Sequence, residues 1–99
     1  MITKKEGTTP DKELVTFHLH RSLLAESVHV VGDFNDWDRH SHPLTREHEN
    51  GTWKLTIELE KGQEYQFRYL IDGKNWQNEW HADRYVPNPF GGENSVIAV

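Results

Sequence analysis

The sequence contains no cysteine, so neither disulfides nor thiolate metal sites can hold the fold, and no thiol chemistry is available to it. It also lacks any run of 18 apolar residues, and its opening stretch, MITKKEGTTPDKE, is charged and turn-rich. Neither a membrane span nor a secretory signal is expected from such a pattern, and the cytoplasm is the expected compartment. Basic residues are in deficit: 11 Lys plus Arg stand against 16 Asp plus Glu, a net charge of −5. A field of that sign repels phosphate backbones and anionic lipid surfaces, so nucleic acid and membrane are not expected partners. The length of 99 residues suits one domain whose stability must come from packing.

The apolar residues that are present recur with a period of two, which marks half-buried strands rather than helices. Val15, Phe17 and Leu19 alternate with Thr16, His18 and His20, and Val28 and Val30 lead into Gly32. Trp53, Leu55, Ile57 and Leu59 share a face opposite Lys54, Thr56 and Glu58, and the strand closes at the EKGQ turn. Tyr65, Phe67, Tyr69 and Ile71 alternate against Gln66, Arg68 and Leu70 before the Asp72-Gly73 hairpin signal. NSVIAV supplies a last strand, and LLAES, residues 23–27, allows at most one helical turn. The expectation is an all-β, antiparallel β-sandwich over residues 13–99, preceded by a flexible segment over 1–12.

The aromatics then divide. Phe17, Trp53, Phe67 and Tyr69 fall in phase with strand faces and read as core, whereas Trp37, Trp76 and Trp80 lie in polar, turn-rich segments. Such a tryptophan either seals an end of the sandwich or presents a flat ring to a ligand. Sealing is the expectation for Trp80, between Glu79 and His81. Trp37 and Trp76 fit the second role, because an indole face matches the C–H face of a sugar ring while planar polar groups orient its hydroxyls. Arg68, on the polar face of its strand, and Asn94, at the start of the last strand, supply such groups. A neutral polyhydroxyl ligand needs no basic field and so suits an acidic domain.

Three segments, VHVVGDFNDWD, YQFRYLIDGKNW and ADRYVPNPFGGENSVIAV, occur in this order. Together they resemble the glycogen- and starch-binding modules of carbohydrate-binding family 48. This early-set, immunoglobulin-like domain precedes the catalytic barrel of isoamylases and branching enzymes and occurs in the β subunit of AMP-activated protein kinase. The likeness runs from about residue 14 to Val99 and extends to short, free-standing bacterial proteins made of this domain alone. It implies an α-1,4-glucan or malto-oligosaccharide ligand and a site in which Trp37 and Trp76 stack on glucose while Arg68 and Asn94 bond hydroxyls. Trp76 comes one residue later than in the kinase modules, Arg68 replaces a lysine, and Phe90 and Gly92 stand where those modules have leucine and threonine. A glycogen-metabolising enzyme is a second partner that the resemblance admits, and a protein-docking role without sugar binding is the alternative.

Turn chemistry accounts for the remaining polar groups. Within the FNDW turn Gly32 is expected to let the strand break, Phe34 to anchor the loop in the core, and Asp33 and Asp38 to bond backbone amides. Asp36, Asp72, Glu79 and Asp83 also fall in turns, and no pair of carboxylates shows the fixed separation that glycoside hydrolysis needs. The barrel that bears such a pair in the enzymes resembled spans about 250 residues, so no enzymatic activity is expected. His18 and His20 share a strand face and His40, His42 and His48 a loop, without a zinc-ligand pattern. Neither a metal nor a cofactor is expected.

Overall fold

A computed structural model describes residues 1–20 and 24–99. Two antiparallel sheets form a β-sandwich, as the alternation predicts, of the immunoglobulin-like class that the family resemblance implies. The first sheet has the order β1 (Ile2–Glu6), β2 (Lys12–Leu19), β5 (Trp53–Glu60), β4 (Thr45–Arg46). The second has the order β3 (Val28–Gly32), β6 (Glu64–Ile71), β9 (Glu93–Ala98), β8 (Arg84–Pro87), with β7 (Asn75–Gln77) pairing the distal half of β6. A 3₁₀ turn, Asp33–Asn35, follows β3. Among the described residues no helix is long and apolar enough to cross a membrane.

Register places the core. Val15 opposes Ile57 and Phe17 opposes Leu55 in one sheet, while Val30 opposes Tyr69 and Tyr65 opposes Ile97 in the other. Phe17 bridges the layers, its ring centroid 5.3 Å from that of Phe67 and 6.3 Å from that of Tyr69, both edge-on. Such pairs add about 0.5–1.5 kcal/mol each beyond the area they bury.

At the lead segment and at Trp80 the structure departs from the sequence expectations. The lead segment, read as flexible from its charge, contains β1, which pairs with β2 from Ile2↔Phe17 to Glu6↔Glu13. An edge strand meets one neighbour only, so it can form from residues as polar as Thr3, Lys4 and Lys5. Residues 24–27 hold no helical turn, and the rest of the LLAES expectation, at Leu23, lies outside the described residues.

Trp80 seals nothing. It is 87% exposed, while its neighbour Glu79 is 2% exposed. The cleft beneath is polar: the Tyr69 hydroxyl donates to Glu79 Oε1 at 3.2 Å, the Glu79 amide donates to Ser95 Oγ at 2.9 Å, and the Met1 ammonium pairs with the same carboxylate. Those partners satisfy the buried Glu79 carboxylate, and an indole in its place would sit among polar groups. Burial and the nearby Glu79 charge push the Tyr69 hydroxyl well above its ordinary pKa, so it remains a donor.

Burial foremost holds the imidazoles of His18 and His29 below the ordinary 6.5, helped by Lys54 at His18 and His40 at His29. The unfolded chain therefore binds these protons first. Their contribution is complete above pH 6.5 and is lost as pH falls through the depressed folded values. Backbone N–H donors, from Ser27 and Glu26 to Asp72 and from Ala98 to Asp83, hold those carboxyls below 3.8, so a second loss follows in stronger acid. Urea midpoints measured from about pH 7.5 to about pH 5 should fall, and His29→Gln should flatten the fall. A midpoint that rises on acidification contradicts the assignment.

Candidate functional site

Side chains that leave the core face of the second sheet point outward with the same period of two. Arg68 opposes Val31, Leu70 opposes Trp76, and Gln66 opposes Val96, two residues from Asn94. The register thus gathers Gln66, Arg68, Trp76 and Asn94 on one outer face. Val31, Leu70 and Val96, at most 1% exposed, belong to that face and not to the inter-sheet core.

The turn after β3 brings Trp37 over the same face. Phe34 anchors it, with ring centroids 5.9 Å from Phe17 and 6.4 Å from Phe67. Asn35 Oδ1 accepts from the Gly32 amide at 3.1 Å while its Nδ2 donates to the Val30 carbonyl at 3.1 Å. Asp33 joins turn, ring and sheet: Oδ1 accepts the Trp37 indole N–H at 3.0 Å and Oδ2 accepts the Gln66 amide at 2.8 Å. Asp38 Oδ1 accepts the His40 amide at 2.8 Å, as turn chemistry predicts. Asp36 and Trp37 are both left-handed, at φ 55° and 58°. For a residue as bulky as Trp this costs about 1–2 kcal/mol, held in place by the surrounding bonds.

A third segment completes the rim. Asn88 Oδ1 accepts the amides of Phe90 at 2.9 Å and Gly92 at 3.2 Å, which curls the loop and leaves Phe90 93% exposed. Asn88 Nδ2 donates to Asn94 Oδ1 at 3.3 Å, and Asn94 Nδ2 donates to Gln66 Oε1 at 3.1 Å. Asn94 is 9% exposed, and its amide is half engaged within the protein, leaving one donor hydrogen and one lone pair. Asn94→Ala should cost about 1–2 kcal/mol by stranding Asn88, read as a lower urea midpoint. An unchanged midpoint contradicts this positioning role.

These elements enclose an open concavity of about 560 Å³ lined by all four sequence-predicted residues, Trp37, Arg68, Trp76 and Asn94, together with Arg39, Gln66 and the 88–90 loop. That volume lies within the range of small-molecule sites. Guanidiniums flank Trp76, with Arg39 Cζ 5.6 Å and Arg68 Cζ 5.8 Å from its ring centroid. Arg68 Nε is buried without a protein partner. Of the residues that sequence reasoning did not single out, Gln66 shares parity with Arg68 and was accessible from the alternation. Arg39 lies in an irregular loop where no pattern marks it.

Residues 6–89 match the family described as Carbohydrate-binding module 48 (Isoamylase N-terminal domain). The chain belongs to this family. As a family 48 module it is similar to parts of larger proteins. It is 41% identical over 64 residues to the 1,4-alpha-glucan branching enzyme GlgB of Thiobacillus denitrificans, covering 64% of this chain and 8% of that protein. It is 47% identical over 47 residues to GlgB of Pseudomonas putida and 43% identical over 49 residues to GlgB of Novosphingobium aromaticivorans. These matches cover 46% and 50% of this chain and 6% and 7% of the respective enzymes. The matched stretches therefore cover less than a tenth of the length of these relatives.

Among the described residues no group of three or more His, Cys, Asp or Glu is placed to hold a metal ion. The cavity lining includes no carboxylate.

Proposed function

We propose that this module binds α-1,4-glucan, as polysaccharide or malto-oligosaccharide, and performs no chemistry on it. The observation that supports this best is the convergence of two indoles, a guanidinium and carboxamides on one open, outer-face concavity. Trp37 and Trp76 stack on glucose rings, Arg68 and Gln66 donate to hydroxyls, and Asn94 holds Gln66 and the 88–90 loop in register. Hydroxyl bonds to the protein largely replace bonds to water, so affinity for short oligosaccharides is weak and stacking supplies most of it.

The same geometry supports a non-catalytic reading. Asp33 is the carboxylate tied to the rim, and both its oxygens are occupied by Trp37 and Gln66. Among the described residues no carboxylate lines the cavity itself, where glycoside hydrolysis would need two. Branching activity belongs to the relatives as whole proteins. A cysteine-free fold held by packing suits the cytoplasm, the compartment this reading assigns.

Co-sedimentation with insoluble starch and retardation in glycogen-containing gels test the proposal. The module should be retained by both. A module that passes through both without delay and is captured only by a glycogen-metabolising enzyme would instead fit a docking role.

A further inference from the structure

We propose that the cavity prefers α-glucan bearing phosphate monoesters over the unmodified polymer. The inference rests on the glucan reading above and adds to it the charge of the ligand. It starts from a local reversal of sign: the chain carries −5, yet two guanidiniums and no carboxylate line the cavity.

Neither guanidinium is neutralised. Among the described residues Arg39 and Arg68 make no ion pair and no side-chain hydrogen bond, and both lie instead against the Trp76 indole. Five other cations are matched, Arg84 with Glu64, Lys4 with Asp83, Lys12 with Glu60, Lys54 with Glu47 and Lys61 with Glu6, while Lys5, Arg46 and Lys74, scattered outside the cavity, make no ion pair among the described residues. A guanidinium stacked on a ring keeps its N–H edge for an oxyanion, and its planar fork matches phosphate oxygens in a way a lysine ammonium does not. Neutral hydroxyls need donors but not two unpaired cations.

The surrounding charges narrow the ligand further. Asp36 and Asp38 follow Asp33 in the Trp37 turn, and Glu93 precedes Asn94. At physiological salt fields decay over about 8 Å, so a single phosphate between Arg39 and Arg68 senses mainly these two cations. An extended polyanion would run across the acidic remainder of the surface and be repelled. A sparse phosphate ester on an otherwise neutral chain meets both conditions, with a neighbouring glucose ring on Trp37.

Calorimetric titration of the full chain with maltoheptaose and with maltoheptaose carrying one 6-phosphate, at about 0.02 M and about 0.5 M salt, tests this. The phosphorylated oligosaccharide should bind about tenfold more tightly at low salt, and the ratio should shrink at high salt. In Arg39→Gln, an exposed position, the low-salt ratio should fall below about threefold. Equal affinities, or a ratio untouched by Arg39→Gln, would overturn the phosphate preference and leave glucan binding standing. Loss of binding to both oligosaccharides would overturn glucan binding itself. Inorganic phosphate that displaces the phosphorylated oligosaccharide at equal concentration would show an anion site that does not read sugar, overturning the preference for phosphorylated glucan.

Discussion

Gly32→Ala should destabilise the protein by about 3 kcal/mol or more and abolish the cavity with it. The reason is steric. Gly32 is extended, at φ −172°, a conformation open to any residue, so backbone freedom is not what the position demands. A Cβ there would sit 2.4 Å from the Gln66 carbonyl oxygen, 2.6 Å from Phe67 Cβ and 2.9 Å from Phe67 Cα. Two of these are backbone atoms of the paired strand β6, which cannot swing aside as a side-chain tip can. Relief requires β3 and β6 to part where Asp33 also bonds the Gln66 amide, the link that seats the Trp37 turn. The sequence reading of Gly32 as a strand breaker is thus corrected: the glycine permits close approach of two strands. Urea unfolding checks it, and a variant within about 0.5 kcal/mol of the parent would contradict the steric assignment.

Replacing either stacking ring should weaken glucan binding about tenfold or more, a loss near 1.4 kcal/mol per ring. Trp37→Ala and Trp76→Ala remove flat area that loses little rotamer entropy on binding. Position 37 offers an internal comparison. Because φ is 58°, Trp37→Gly should be about 1 kcal/mol more stable than Trp37→Ala, while both lose the ligand equally. The backbone there is strained to present an indole, so relieving strain and losing function should coincide. Retention on glycogen by Trp37→Ala at parental strength would remove Trp37 from the site.

Much of this arrangement was legible in the chain because strand periodicity is a local property. The alternation at 65–71 and 94–99 fixes which side chains leave the core, and hence places Arg68 and Asn94 on a shared outer face. The FNDW turn was readable for a similar reason: Asn35 and Asp33 bond backbone and ring groups within a few residues, whereas the Asp33 bond to Gln66 and the Phe34 ring contacts with Phe17 and Phe67 reach across the fold. What escaped depends on long-range partners. Glu79 reads as a turn carboxylate and Trp80 as a seal on the end of the sandwich, yet Tyr69, Ser95 and the Met1 ammonium bury the carboxylate and leave the indole outside. β1 escaped because a polar edge strand owes its order to β2, and composition alone does not reveal pairing. Arg39 joins the site through the path of an irregular loop, and its contact with Trp76 links positions 37 residues apart in sequence whose approach no local pattern encodes.

The four indole N–H signals in a two-dimensional ¹H–¹⁵N spectrum, followed as maltoheptaose is added, give the most direct test of a single sugar-binding face. Trp37 and Trp76 should shift together along one saturation curve. Trp53, 5% exposed in the core, and Trp80, 87% exposed but away from the cavity lining, should stay in place. Movement of Trp80 with Trp37 and Trp76 unmoved, or no movement at millimolar oligosaccharide, would contradict it.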